Sequence, residues 1–331
     1  MKKSVLVAVI IILVGCLYFL IRNGDLISKN EDTVLFNQKL SHYGLFQGKI
    51  SDLKPCDQAE IIELASQLFT DYAEKQRIIV LPRGKKMKGN GSGLPDFPDG
   101  TIIAKSFYYS KRILGKSTSR YIVETRLLLK DKAIWNAATY KWNASQDEAY
   151  LSTNGAMVPI SFVDEKGKNR QIKYRIPSSQ DCISCHPQEG QLMPIGPKLR
   201  NINLAVSRDK QLLNQIEYLN HKGKLEILDT KSIKTIANYK DESQPLSKRA
   251  RAYLDINCAH CHNPAGLASY TQLDLRYELP FNETGIRLKQ GNIPTRLTIS
   301  GEMHMPKIGT TINHEEGINM IMDYIRNLTK H

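Results

Sequence analysis

Two pentapeptides of the form C-x-x-C-H, at residues 182–186 and 258–262, constrain this chain more than any other feature of its sequence. A composition of 6 Cys and 8 His in 331 residues gives roughly 0.003 such pentapeptides by chance. The spacing is the attachment signature of c-type haem. Two cysteines three positions apart reach the two vinyl groups of one porphyrin, and the histidine that follows lies under the iron as an axial ligand.

The pentapeptides therefore predict two covalently attached haem c groups. The predicted thioether cysteines and iron-ligating histidines are Cys182, Cys185 and His186 for the first haem, and Cys258, Cys261 and His262 for the second. A zinc site is the main alternative for paired C-x-x-C, but its pairs usually lie about 15–20 residues apart. Here 72 residues separate the two pairs. A disulfide framework would not require a histidine after each pair.

The first 27 residues have the pattern of an export segment. Lys2 and Lys3 precede an apolar run of 17 residues from Val5 to Ile21, which resembles a signal peptide and is at the lower limit for spanning a bilayer. Cys16 also stands in a lipobox-like context, where it would be lipidated as in a bacterial lipoprotein. Both alternatives tether the protein to the membrane with its haem domains on the periplasmic side of the cell envelope.

The charge of the chain is strongly positive. Lys and Arg number 46 against 33 Asp and Glu, which gives a formal net charge of +13. Such a surplus favours redox partners with acidic docking faces. Nucleic acid is the other common partner of a basic protein, but the charge is scattered along the chain and the N-terminus indicates export.

The sequence predicts an α+β protein with two domains after the anchor. The first, residues 30–200, is expected to be β-rich and to end in the first haem site. A capping box at Asp57 and Glu60, followed by apolar residues at helical spacing, predicts a helix over 57–75. Period-two runs predict an antiparallel sheet of about five strands, at 101–109, 121–130, 133–142, 158–163 and 171–176.

The second domain, residues 205–331, is expected to be mainly α-helical and to hold the second haem site. Ser207, Ser247 and Asn313 can each cap a helix. The first helix would carry apolar residues from 212 to 219, and the second would run directly into Cys258. The third would extend to Leu328.

The order helix, C-x-x-C-H, Met-Pro and closing amphipathic helix resembles class I cytochrome c. The resemblance implies that Met305 is the second axial ligand of the iron above His262, with Met303 and His304 as local rivals. A thioether ligand raises the reduction potential of the haem. The sequence does not decide the distal ligand of the first haem. Met157, Met193, His42 and His221 are candidates on chemical grounds, and the alternative is an iron without a distal protein ligand.

Two further resemblances concern the rest of the chain. The segment 97–102 before an aromatic strand is similar to part of cytochrome P460 and beta-type cytochrome c′. Residues 68–73, 135–143, 174–178 and 252–264 resemble a family of poorly characterised bacterial dihaem c-type cytochromes. This resemblance implies electron transfer between redox partners. The alternatives are a dihaem peroxidase or small-molecule reductase, or a gas-binding module, each using an open first haem.

Overall fold

The structure, a computed structural model, describes residues 34–113, 116–164, 166–181, 187–188, 191–299 and 301–328. The predicted α+β class is confirmed, because a large antiparallel sheet and several helices are both present. The main sheet has six strands: β1 (Ala59–Ile61), β2 (Glu74–Val80), β4 (Ile102–Ile113), β5 (Lys116–Asp131), β6 (Ile134–Trp142) and β7 (Ala149–Leu151). They lie next to one another in this order across the sheet.

The remaining strands form small two-stranded units. β8 pairs with β9, β10 with β11 and β12 with β13, each antiparallel, whereas β3 and β14 pair in parallel. These strands are β3 (Met87–Lys88), β8 (Ala156–Val163), β9 (Asn169–Ile176), β10 (Pro187–Gln188), β11 (Gln191–Leu192), β12 (Ala205–Arg208), β13 (Gln211–Asn214) and β14 (Leu225–Glu226).

Five α-helices lie in the C-terminal part of the described chain. They are α1 (Leu199–Ile202), α2 (Gln215–His221), α3 (Leu246–Asn257), α4 (Asn292–Thr298) and α5 (Glu315–Leu328). The helices predicted before residue 258 and at the C-terminus are therefore present as α3 and α5, but the predicted N-cap Ser247 is wrong, because α3 begins at Leu246 with Pro245 at the N-cap position. Their facing apolar side chains form one buried cluster that includes Leu254, Ile321 and Ile325. None of the helices in the described ranges is long and apolar enough to cross a bilayer.

The helix predicted over 57–75 is wrong. The structure has β1, an irregular segment and the start of β2 in its place. The backbone of the irregular segment is satisfied by distant side chains: the N–H of Ser66 donates to Asn201 Oδ1, and the N–H of Phe69 donates to Asn257 Oδ1. These bonds replace the i→i−4 ladder that a helix would supply, and they depend on the tertiary fold.

The helix predicted with Ser207 as its N-cap begins seven residues later than expected. Residues 205–214 form the β12–β13 hairpin, and α2 starts at Gln215. Asn214 is the true N-cap, because its side chain accepts hydrogen bonds from the N–H groups of Ile216 and Glu217. Leu212 is 75% exposed, so the apolar spacing in this hairpin does not mark a buried helical face.

The predicted five-stranded sheet needs a correction at its end. The β8–β9 hairpin forms as expected but does not hydrogen-bond to the main sheet in the described structure. It packs against the sheet instead, where Ile160 and Tyr174 share a buried cluster with Phe107 and Val123. The Tyr174 hydroxyl donates a hydrogen bond to Glu124 Oε1 at 2.6 Å. The hairpin therefore covers part of one face of the sheet.

Residues from Phe36 onward form one compact unit. A buried cluster joins Ile79 and Ile103 of the sheet to Leu199, Ile216 and later residues. Residues on both sides of the predicted boundary near 200–205 thus share one core. Because of this packing, the second pentapeptide is brought close to the sheet.

Candidate functional site

The second C-x-x-C-H pentapeptide is held at the end of α3. The N–H of Cys258 donates to the carbonyl of Leu254, which extends the helical bonding by one residue. The N–H groups of Cys261 and His262 then both donate to the Cys258 carbonyl, at 3.1 and 2.9 Å. The pentapeptide is thus a tight turn fixed to a buried helix, which places its side chains on a rigid element.

A hydrogen bond to Nδ1 distinguishes the two ring nitrogens of His262. Nδ1 lies 3.0 Å from Thr271 Oγ1, whose own proton is donated to the carbonyl of Ala268 at 2.6 Å. Thr271 must therefore accept from Nδ1–H, which leaves the lone pair on Nε2. Burial lowers the pKa of His262, and the guanidinium of Arg296 lowers that pKa further. A neutral imidazole with Nε2 available is the form that ligates iron.

Both cysteines of this pentapeptide are protonated thiols at neutral pH. Burial raises the pKa of Cys258 to about 12 and also raises the pKa of Cys261. Zinc binds thiolates, so this environment does not favour a zinc site. Among the described residues, no three His, Cys, Asp or Glu side chains are grouped to hold a metal ion. A zinc ion at Cys258 and Cys261 would have to displace the protons of two thiols whose pKa is raised.

A cavity beside α3 brings Cys258 and Met305 together. Its other walls combine apolar and polar side chains from the 68–70 segment, the end of α3, α4 and the loop before α5. His262 is not among its lining groups. The link between His262 and Met305 is Arg296, whose carbonyl accepts the Met305 N–H at 2.8 Å and whose charge acts on His262.

The structure distinguishes between Met303 and His304, the two alternatives to Met305 as an iron ligand. Met303 is 54% exposed and does not line the cavity. His304 does line the cavity, and its Nδ1–H donates to the carbonyl of Ile299 at 2.8 Å. Because a carbonyl can only accept, His304 Nε2 keeps its lone pair and is a possible ligand atom. Met305 and His304 are therefore the two candidates that geometry retains.

The loop that carries Met305 is anchored by a carboxylate from the N-terminal part of the chain. Asp71 is 2% exposed and accepts hydrogen bonds from the N–H and hydroxyl of Thr311 and from the N–H of Ile312. Burial raises the pKa of Asp71, although these hydrogen bonds act in the opposite direction. This contact fixes the loop between Met305 and α5 against the 68–72 segment. It was not foreseen from sequence, because no local pattern pairs residues 240 positions apart.

The sequence reasoning also missed three polar residues that line the cavity. His260 has a buried Nδ1 with no hydrogen-bond partner among the described residues, and burial lowers its pKa to about 4. Lys105 and Arg126 reach the cavity from β4 and β5. The only sequence signal for His260 was its place inside the pentapeptide. Lys105 and Arg126 carried no signal, because their role depends on how the sheet packs against α3.

Several predicted site residues lie outside the described residues. These are Cys182, Cys185 and His186 of the first pentapeptide, together with Cys16 and the rest of segment 1–27. The candidates for a distal ligand of the first haem are described: His42, His221 and Met157 are exposed, and Met193 is half-buried against a core cluster. The structure brings none of these four into the cavity with Cys258.

The donor set at residues 258–305 fits a c-type haem. Two protonated cysteines, a histidine with a free Nε2, and a thioether or imidazole in the cavity are the groups that such a porphyrin uses. Comparison with protein-family models, with curated proteins and with solved structures found no match for this chain. The function must therefore be argued from the residues themselves.

Proposed function

We propose that this protein is an exported dihaem c-type cytochrome that transfers electrons between redox partners. The observation that carries the proposal is the pair of C-x-x-C-H pentapeptides. The geometry of the second pentapeptide supports it, because His262 Nε2 is left free by the Thr271 hydrogen bond and Cys258 shares a cavity with Met305. A bound haem would supply a one-electron iron couple.

The C-terminal part is proposed to be a class I cytochrome c-like domain. In support, α3 leads directly into Cys258, Met305 stands in the loop before α5, and α5 packs against α3. The helices approach closely at Gly317, where an added Cβ would lie 2.5 Å from the ring of Tyr253. We assign His262 as proximal ligand and Met305 as distal ligand of the second haem, and His186 as proximal ligand of the first.

The protein residues have three tasks in this proposal. Thr271 holds the proton of His262 on Nδ1, so that Nε2 can bind iron without a change of tautomer. Asp71 holds the Met305-bearing loop in place through Thr311. The apolar side chains of the cavity, such as Leu68, Phe69 and Leu297, would bury part of the haem, and burial would favour the less charged ferrous state.

Location and partners follow from the same proposal. We expect segment 1–27 to tether the protein to a membrane, with Cys16 either lipidated or buried in the bilayer, and both haems on the periplasmic side. The net charge of +13 favours redox partners with acidic docking faces. Steering by such charges raises association rates at low ionic strength.

A haem count tests the proposal directly. A pyridine haemochrome assay on the purified protein should give two haems per chain, retained through denaturing electrophoresis because they are covalently attached. Replacing both Cys258 and Cys261 by alanine should leave one. Haem that is extracted into acidic acetone, or fewer than two haems in the unmodified protein, would overturn the proposal. Carbon monoxide binding to one of two attached haems would instead favour a peroxidase, reductase or gas-binding module.

A further inference from the structure

Three cations form a row across the middle of the main sheet. The register places Arg77 of β2 opposite Lys105 of β4, and Lys105 opposite Arg126 of β5. Residues directly opposite on antiparallel strands have Cβ atoms about 4.5–5.5 Å apart, and like charges in such pairs destabilise a sheet. We call Arg77, Lys105 and Arg126 the cation row. A row of this kind needs compensation from negative charge.

Among the described residues, a carboxylate pairs with Arg126 at one end of the cation row. Arg126 forms a two-pronged ion pair with the fully buried Glu124, at 3.0 and 2.5 Å, and stacks over Phe107 at 4.4 Å from the ring centroid. Arg77 lies at the other end and is 6% exposed. No carboxylate of the described residues pairs with Arg77, and the side chains that raise its pKa against the effect of burial are the phenols of Tyr239 and Tyr108.

Further positive charge lies next to Arg77. Lys75 is two residues away on the same face of β2, and burial followed by the charges of Arg77 and Lys105 lowers its pKa well below the usual value. Burial lowers even the pKa of Arg77, to about 10. A buried arginine that has no carboxylate partner among the described residues is the arrangement expected where a bound anion completes the site.

The cation row faces two adjoining cavities. Lys105 and Arg126 line the cavity that holds Cys258 and Met305. All three cations line the neighbouring cavity, whose other walls are aliphatic side chains and prolines, including Ile195. Ile195, Lys105 and Arg126 are common to both cavities. Apolar walls with cations along one side match a flat apolar ligand that carries carboxylates at one edge.

We infer that the cation row binds the propionate carboxylates of the haem attached to Cys258 and Cys261. This inference rests on the proposed function, since a haem supplies both the apolar body and the two carboxylates. Charge-assisted hydrogen bonds from an arginine fork to a carboxylate are stronger than neutral ones. Arg77 completes the site from β2, which is the neighbour of the strand that carries Lys105. A free carboxylate or phosphate is the other source of the same chemistry, and the experiment below distinguishes the two.

The test compares Arg77→Met with Arg77→Lys and with the control Lys173→Met. Lys173 is an exposed lysine on β9 that lines neither cavity, so its replacement removes the same charge elsewhere. The midpoint potential of each protein is measured from pH 5 to pH 8. Loss of a nearby positive charge alone lowers the potential equally at every pH. Loss of a propionate partner also raises the pKa of that propionate, so that the potential becomes pH-dependent.

We expect the potential of Arg77→Met to fall with rising pH across this range, while the unmodified protein, Arg77→Lys and Lys173→Met stay nearly flat. A tenfold change in the relative stability of the two oxidation states corresponds to about 59 mV for one electron. Lys105→Met serves as a second variant if Arg77→Met does not fold, and the same pH dependence is expected for it. A flat profile in the folded variants that still carry both haems overturns the inference and leaves the proposed function intact.

Added anions distinguish the source of the carboxylate. If propionates occupy the cation row, phosphate or acetate added to the unmodified protein leaves the Soret band and the potential unchanged. A saturable shift that is present in the unmodified protein and absent in Arg77→Met would mean that the row binds a free anion, which overturns the propionate assignment. Absence of covalent haem from the unmodified protein would defeat the proposed function itself.

Discussion

At the scale of single residues, the ligand of the proposed second haem depends on a choice between neighbouring residues in one loop. Met305 and His304 both line the cavity with Cys258, whereas Met303 is exposed. A His/Met pair gives a higher potential than two nitrogen ligands. If the proposed second haem is present, the identity of this one side chain decides whether that haem has a high reduction potential.

Replacing Met305 by alanine is expected to open the second haem to carbon monoxide and to lower its potential, because water or a harder ligand replaces the thioether. The potential should fall by more than about 59 mV, the equivalent of a tenfold change. Carbon monoxide difference spectra and a redox titration provide the measurement. His304→Ala and Met303→Ala are the controls and should leave both properties nearly unchanged. If His304→Ala opens the haem and Met305→Ala does not, His304 is the ligand.

Gly317 tests the close approach of α3 and α5. An alanine Cβ there would lie 2.5 Å from the ring of Tyr253, which is 5% exposed and hydrogen-bonded to His314. We expect Gly317→Ala to lower the free energy of unfolding by about 1–3 kcal/mol, since overpacking outweighs the better helix propensity of alanine. Gly291→Ala is the matched control, because an added Cβ there has nothing within 4 Å. Denaturant melts that show equal stability for both variants would contradict the packing.

At the scale of elements, a glutamate joins the start of α5 to the β8–β9 hairpin. Glu316 forms an ion pair with Lys166 at 2.9 Å and accepts a hydrogen bond from the Tyr72 hydroxyl at 2.7 Å. Burial alone would raise the pKa of Glu316, but Lys166 and Tyr72 outweigh it and lower the pKa to about 2. The closing helix is thus tied to two distant segments through one carboxylate.

The depressed pKa of Glu316 predicts acid sensitivity. A glutamate whose folded pKa is below its unfolded value contributes stability that is present above the unfolded pKa of about 4.3 and is lost as pH falls towards 2. Glu316→Gln should therefore reduce the free energy of unfolding by about 0.5–1 kcal/mol at pH 7, after allowance for solvent screening of this partly exposed pair. The difference should vanish near pH 2.

Chemical denaturation at several pH values measures this effect. Glu217→Gln is a matched control, since Glu217 is exposed and also lies in the first turn of a helix, α2. Removing a carboxylate from a helix N-terminus costs the same dipole interaction in both variants. If the two variants lose equal stability at pH 7, the contacts with Lys166 and Tyr72 contribute nothing measurable.

At the scale of the whole molecule, the described chain from Phe36 onward is one compact unit. A chain that begins near Glu31 behind a cleavable signal peptide is expected to fold, to carry both haems and to be soluble, because it lacks the apolar run from Val5 to Ile21. Fractionation into membrane and soluble periplasm is the measurement. Recovery of the full-length protein in the soluble fraction would contradict the tether.

The sequence by itself determined the features that depend on local chemistry. The C-x-x-C-H spacing predicts haem attachment, and period-two runs predicted β4, β5 and β6 because alternate side chains face one side of a strand. The helix that leads into Cys258 and the closing helix were also predicted correctly, since each has an apolar face that repeats at helical spacing. These patterns are short-range, and in these segments the tertiary contacts agree with them, unlike in the segment 57–75.

Only the tertiary structure decided the features that depend on distant partners. The segment 57–75 is not a helix, because Asn201 and Asn257 satisfy backbone groups within it. Asp71 holds the loop before α5 across 240 positions of sequence. The cation row exists because strand register sets Arg77, Lys105 and Arg126 side by side. Register and long-range hydrogen bonds follow from the packing of the whole chain, which local spacing does not encode.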